Sequence, residues 1–233
     1  MKLKFLAATF LLVGYTSSNA AEIYFDTVST AKASRLHGSY VGTFVGGVDV
    51  GSTVTTGRIK DVPVDGSKLG WIAGVEFGYK WVTPVGINLA AELEFYYLNQ
   101  EVSGSRRGTK YRSDLGAFGA MTNGIIQFDL ESMLGPDAGW IGAIKPYIGA
   151  GVGFGYGYQN NVAYQERGRR ERSLDDGGEA SFAYQLLAGV EVELAENFSV
   201  YGEYRYLDLY DFGNGGIGGA EFSALVLGAR FQY

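Results

Sequence analysis

An export-type amino terminus, eight segments of period-two alternation, and a rhythm of short and long connections together predict an all-β chain. The architecture they specify is an eight-stranded antiparallel up-and-down transmembrane β-barrel. Residues 1–20, MKLKFLAATFLLVGYTSSNA, start with Lys2 and Lys4, run through apolar Phe5 to Val13, and end in Ser18-Asn19-Ala20. That is the layout of a secretory signal peptide, with cleavage expected before Ala21. About nine apolar residues are too few to cross roughly 30 Å of hydrocarbon as a helix. Nothing later in the chain is long and apolar enough either, so a helical membrane protein is excluded. The expected division is 1–20 signal peptide and 21–233 outer-membrane barrel.

The strands follow in order. Residues 38–50 form the first, with Tyr40, Phe44, Val48 and Val50 in one phase. In 69–81, Leu69, Trp71, Ala73, Val75, Phe77, Tyr79 and Trp81 form an outward stripe, while Gly70, Gly74, Glu76, Gly78 and Lys80 face inward. Strand 87–98 sends Ile87, Leu89, Ala91, Leu93, Phe95 and Tyr97 outward, and Asn88, Glu92 and Glu94 inward. Strand 117–130 sets Phe118, Ala120, Ile126, Phe128 and Leu130 against Asn123, Gln127 and Asp129. Strand 146–158 opposes Ile148, Ala150, Val152, Phe154, Tyr156 and Tyr158 to a row of glycines from Gly149 to Gly157. Strand 181–194 opposes Phe182, Tyr184, Leu186, Ala188, Val190, Val192 and Leu194 to Gln185, Glu191 and Glu193. Strand 198–208 opposes Phe198, Val200, Tyr204 and Tyr206 to Glu203 and Arg205. The last, 221–233, places Leu225, Leu227, Ala229, Phe231 and Tyr233 opposite Val226, Gly228, Arg230 and Gln232.

An apolar outer and polar inner face is the pattern of a lipid-spanning barrel. A soluble barrel shares the alternation, but the long aromatic-rich stripes favour lipid. Connections 82–86, 131–145 and 195–197 alternate with the longer 51–68, 99–116, 159–180 and 209–220. Short periplasmic turns and long external loops are expected of this class. Within 131–145, Leu130 to Leu134 reads as a short helical turn. Trp71, Tyr79, Trp81, Tyr96, Tyr97, Tyr147, Tyr204, Tyr206, Phe231 and Tyr233 are the candidates for interfacial aromatic girdles.

Composition fits this reading. The chain of 233 residues has 36 Gly, 17 Tyr and 14 Phe but 4 Pro and no Cys. Without disulfides, barrel closure must hold it together by pairing every edge strand. The leader carries two of the 19 basic residues and none of the 25 acidic ones, so removing it shifts the formal charge from −6 to −8. This argues against a nucleic-acid partner, which requires a basic footprint.

The inner faces gather Glu76, Glu92, Glu94, Asp129, Glu191, Glu193 and Glu203 with Lys80, Arg205 and Arg230. Such charges must pair or be hydrated; adjacency of the last two strands predicts an Arg230–Glu203 pair. A narrow barrel is expected to lack a continuous apolar interior. Two readings remain: a plugged lumen whose salt bridges fix register, or a narrow water-filled conduit favouring cations. The inward glycines from Gly149 to Gly157 either leave space or admit large neighbours such as Tyr201 and Arg205.

Chemistry finds little support. The one histidine, His37, opens the first strand at the periplasmic end, away from an external rim where lipid chemistry would occur. No His or Cys cluster suits a transition metal, and Asp175, Asp176 and Glu179 do not match calcium-loop spacing. Gly213 to Gly219 lacks the lysine and strand-to-helix context of a phosphate loop. No cofactor is expected. Charge instead concentrates in two external loops: Arg106, Arg107, Lys110 and Arg112 in one, and Arg167, Arg169, Arg170 and Arg172 in the other. These could meet lipopolysaccharide phosphates, an anionic host polymer or a host protein.

The segments KPYIGAGVGFGYGY (145–158), FAYQLLAGVEVEL (182–194), VYGEYRYLDL (200–209) and LVLGARFQY (225–233) resemble opacity-type and rickettsial-type surface antigens and the eight-stranded transmembrane domain of OmpA-like proteins. The resemblance implies location in the bacterial outer membrane, contact with its lipid, and insertion by the barrel-assembly machinery through the final strand, with Tyr233 in the terminal aromatic position. It implies surface-antigen, adhesive or envelope-stabilising roles and no catalytic residues. No peptidoglycan-binding domain follows the last strand, so wall anchoring is not expected. The functional expectation is a non-enzymatic surface protein acting structurally or by binding through its loops. A small, porin-like, cation-favouring channel and a lipid-modifying barrel enzyme are the alternatives.

Overall fold

The computed structural model describes residues 37–51, 53–56, 59–63, 66–106, 109–165, 172–173, 177–210 and 220–233. The expected signal peptide lies outside them, as do Arg107, Arg167, Arg169, Arg170, Asp175, Asp176 and the 213–219 glycines.

Eight strands carry the architecture: β1 (Gly38–Val50), β2 (Gly70–Trp81), β3 (Ile87–Arg106), β4 (Thr109–Phe128), β5 (Ile144–Gln165), β6 (Gly177–Ala195), β7 (Phe198–Leu209) and β8 (Ala220–Gln232). Each pairs antiparallel with its sequence neighbours, and β8 returns to β1 with Tyr40 opposite Gln232 and Val50 opposite Phe222. The sheet is therefore a closed up-and-down barrel, as the alternation predicts. Closure removes the open edges that would otherwise expose unpaired backbone groups to hydrocarbon.

One end of the barrel has short connections. Gly86 takes a positive φ of 79° in the 82–86 turn, where its N–H bonds back to the Thr83 carbonyl at 3.3 Å. Between β4 and β5, helix α1 (Leu130–Leu134) forms where a helical turn is expected. Asp129 caps it by accepting from the backbone N–H groups of Glu131 and Ser132. By the general rule for bacterial barrels this short-turn end is periplasmic.

The opposite end departs from the expected loops. Segments 99–116 and 159–180 are largely strand: β3 and β4 run 20 residues each, β5 runs 22 and β6 runs 19. Arg106, Lys110 and Arg112 thus occupy strand positions, and Arg172 belongs to a two-residue strand paired with β5. The physical reason is that beyond the bilayer the outer face meets water, although Gln100, Val102 and Leu115 remain buried on the inner face. Hydropathy alternation then fades, while backbone pairing continues to satisfy N–H and C=O groups. Strands β1, β2, β7 and β8, of 12 or 13 residues, stop earlier.

Apolar residues are distributed inside out. Leu225 and Leu227 are 69% and 71% exposed, and Trp71, Phe77, Leu93, Phe118, Ile148 and Phe154 also face outward. In water so broad an apolar surface would aggregate; facing lipid, it is matched to its solvent. Aromatic contacts sit toward both ends of this band: Tyr79–Trp81 near the turns, and Trp71–Tyr97 and Tyr184–Tyr206 toward the loops. Two girdle candidates are instead interior, since Tyr96 and Tyr147 are buried. They share strand phase with Glu94 and with the inward glycines, respectively. In β1, Tyr40, Phe44, Val48 and Val50 likewise form the buried face.

Candidate functional site

The lumen has two zones. Toward the turn end it is polar, with Glu76, Glu92, Glu94, Asp129, Glu191, Glu203, Lys80, Lys145, Arg205 and Arg230 all buried. Toward the loop end it is apolar: Val48, Ile72, Leu98, Leu115, Leu207, Leu209 and Phe222 meet in one cluster. The interior is thus apolar at the loop end only, and the buried charges interrupt it toward the turns. The inner positions of strand ends at this level are aliphatic or aromatic, so they pack as an ordinary core.

Arg230 on β8 centres the polar zone. Its Nε donates to Glu76 at 2.6 Å, Nη1 to Glu191 at 2.9 Å and Nη2 to Glu92 at 3.1 Å. The planar guanidinium presents donors in several directions at once, which an ammonium on one flexible stem cannot. It also lies 4.2 Å from the Tyr201 ring centroid and within 5.6 Å of those of Tyr40 and Tyr147. The rings add cation–π attraction, and their hydroxyls serve the same carboxylates. Tyr201 donates to Glu76 and Tyr40 to Glu92, each at 2.9 Å.

The expected Arg230–Glu203 pair does not form. Glu203 instead receives Arg205 from its own strand, through Nη2 at 2.6 Å, and Tyr147 at 3.0 Å. Arg205 also bonds Glu94 at 2.5 Å and lies 4.2 Å from the Phe44 ring centroid. Positions 203 and 205 lie two apart on one strand face, so their side chains meet without crossing strands. That frees Arg230 to span the lumen toward β2, β3 and β6.

Neutral amides complete the mesh. Asn123 donates to Glu92 at 2.9 Å and Glu94 at 3.1 Å, and Gln185 donates to Asn123 at 2.7 Å. Lys80 and Gln127 both reach Glu191, at 2.8 and 3.0 Å. Glu193 belongs to a separate cluster by α1, where Lys145 bonds it at 2.6 Å and Asp129 at 3.4 Å. Lys145 is the interior base that sequence reasoning missed. Its signal was present, because residue 145 shares phase with the inward glycines, but it precedes the segment assigned to the strand.

Space for these side chains comes from glycine. Inward aromatics lie opposite a glycine of the adjacent strand: Tyr40 over Gly78, Phe44 over Gly74, Tyr96 over Gly119, Tyr147 over Gly189 and Tyr201 over Gly228. A Cβ at any of these glycines would collide with the ring. The glycine row of β5 is filled differently: Ile125, Leu187, Asn123, Met121, Tyr96 and Leu209 approach Gly149 to Gly155, rather than Tyr201 and Arg205.

Outside the lumen, His37 stands at the turn end with Nε2 3.2 Å from the Tyr79 hydroxyl and Nδ1 accepting from the Val82 N–H at 3.3 Å. Of the loop residues, only the backbone positions of Arg106, Lys110, Arg112 and Arg172 are described; Lys110 and Arg112 share one strand phase.

A closed antiparallel barrel with a charged core and an apolar outer band defines a transmembrane barrel of outer-membrane type. The profile of the outer membrane protein beta-barrel domain matches residues 8–231, and the chain belongs to that family. The protein is thus a bacterial outer-membrane protein. Among solved structures, Neisserial surface protein A aligns with a TM-score of 0.51 at 14% identity, covering 84% of this chain and 97% of its own. Ail, the attachment invasion locus protein of Yersinia pestis, solved with the heparin analogue sucrose octasulfate, gives 0.42 at 11%, covering 84% and 99%. OprG of Pseudomonas aeruginosa gives 0.35 at 12%, covering 84% and 97%. No curated protein matches the chain.

Proposed function

We propose that this is a non-enzymatic surface protein of the outer membrane, acting structurally or by binding through the portion that projects beyond the bilayer. The observation that carries the reading is the double obstruction of the lumen. A cross-linked charge network fills one half and an apolar cluster fills the other, so the projecting strands and loops are the surface available to partners. From Tyr97, the β3–β4 hairpin continues nine residues to Arg106, about 30 Å along the strand. Planar-bilayer recording of the full-length protein tests the reading. Absence of reproducible conductance is expected, and discrete cation-selective steps would establish the channel alternative instead.

The basic residues suggest the chemistry of a ligand. Arg167, Arg169, Arg170 and Arg172, together with Arg106, Arg107, Lys110 and Arg112, would attract an anionic polymer or lipopolysaccharide phosphates. A variant with Arg167, Arg169, Arg170 and Arg172 changed to Ser should lose binding to dextran sulfate at moderate salt; undiminished binding would remove the adhesive reading. The proposal includes export through residues 1–20, for which intact mass of protein from outer membranes should give Ala21 as the first residue. Insertion by the barrel-assembly machinery through the β8 strand belongs to the same reading.

A further inference from the structure

The lipid-facing band is not smooth. Near the turn end a shallow groove of about 450 Å³ crosses the outer wall from the end of β8 to β4. Phe77, Tyr79, Leu93 and Tyr233 line it with the shorter Ala91 and, on β4 beside Leu93, Thr122. Beside Ala91 in the register is Gly124, which has open space where a Cβ would stand. From Tyr79 on β2 across Ala91 on β3 to Thr122 on β4 is two interstrand steps of about 4.8 Å, near 10 Å around the wall.

A polar group stands midway along the groove, on β2. Tyr79 lies beside Trp81, with ring centroids 4.9 Å apart, at the level of the turn-end aromatics. His37 Nδ1 accepts the Val82 N–H, which leaves Nε2 as the ring nitrogen that donates. That N–H donates to the Tyr79 hydroxyl oxygen across 3.2 Å. Accepting from His37, the Tyr79 hydroxyl keeps its own proton to donate. An apolar stretch over Ala91 and Thr122 with a hydroxyl beside it on β2 fits an amphiphile with one chain in the wall and an oxygen-rich headgroup at the periplasmic face.

We propose that this groove is a discrete glycerophospholipid site: an acyl chain lies over Ala91 and Thr122, and a headgroup oxygen accepts from Tyr79. Continuity with the lipid-facing band selects lipid as the occupant over a protein segment. The chemistry of the donor selects a phosphate or ester oxygen.

Native mass spectrometry of the full-length protein, released from micelles supplied with phosphatidylethanolamine, tests it. The wild type should keep one phospholipid. Ala91→Leu with Thr122→Leu fills the trough with side chains that suit a lipid face, and retention should fall about ten-fold, as expected from roughly two lost methylene contacts. Leu225→Ala, elsewhere on the band, should retain lipid normally. Tyr79→Phe should abolish the preference for phosphatidylethanolamine over diacylglycerol. Equal retention by wild type and the filled variant would overturn the proposal, as would wild type holding no lipid. Should the filled variant fail to fold, photocrosslinking from Thr122→benzoylphenylalanine decides. A phospholipid adduct is expected, whereas lipid A or a second copy of the chain as the captured species would overturn the assignment.

Discussion

Arg230 concentrates the energetics of the lumen in one side chain. It sits among Glu76, Glu92 and Glu191, so truncating it leaves three buried carboxylates short of their shared donor. Arg230→Ala should therefore destabilise the folded barrel by about 3–5 kcal/mol, read as a lower denaturant midpoint in detergent. Arg230→Lys keeps the charge but not the three-way fork, and should lose about 1.5–3 kcal/mol for each charge-assisted bond it cannot remake. Should the two variants prove equally stable, charge neutralisation rather than geometry would be the governing effect. The glycine partners give a second prediction of opposite kind. Gly228→Ala drives a methyl into the Tyr201 ring that lies beside Arg230. Overpacking of this sort costs about 1–3 kcal/mol, and Gly228→Ala with Tyr201→Leu should recover part of the loss.

Among the elements, the α1 turn and the extended hairpins behave oppositely. Asp129 both caps α1 and pairs with Lys145. Asp129→Ala should cost more than the ~1 kcal/mol of a lost cap, whereas Asp129→Ser keeps the cap and isolates the ion-pair share; denaturant midpoints of the two separate these contributions. The β3–β4 extension contributes backbone pairing but stands beyond the lipid-facing band. Replacing residues 103–112 with a two-residue turn should leave heat-modifiable migration intact, because closure and the polar lumen lie below the cut. A barrel that no longer forms would show that the extension guides strand pairing. Sequence patterns read the spanning parts of these strands well and their extensions poorly. Below the rim, Glu92 and Glu94 alternate with Leu93 and Phe95 because lipid and lumen demand opposite polarity. Above it lipid no longer requires an apolar outer face, so residues 99–116 lack regular alternation even though Val102 and Leu115 are buried.

The whole molecule reverses the usual arrangement of a globular protein, with charge inside and aliphatic surface outside. Removing detergent or lipid should therefore precipitate it, and sedimentation after detergent removal measures this directly; a monodisperse soluble barrel would contradict the outward band. At this scale the proposed non-conducting role requires that both the Arg230 mesh and the apolar cluster around Leu98 and Phe222 stay closed.

Strand number, the inward phase of Glu76, Glu191, Glu203 and Arg230, and the outward stripe from Trp71 to Trp81 were determined by sequence alone, because a lipid-spanning strand must alternate. Which charges pair was decided by the tertiary structure. Arg230, opposite Ser199, bonds across the lumen rather than to Glu203, which lies opposite Val226, since barrel closure and register bring β2, β3 and β6 within reach of its fork. The same holds for β1: both of its faces carry apolar residues, so hydropathy leaves the orientation of Tyr40 and Phe44 undetermined. Register resolves it, by setting each ring over a glycine on β2 that has room for nothing larger.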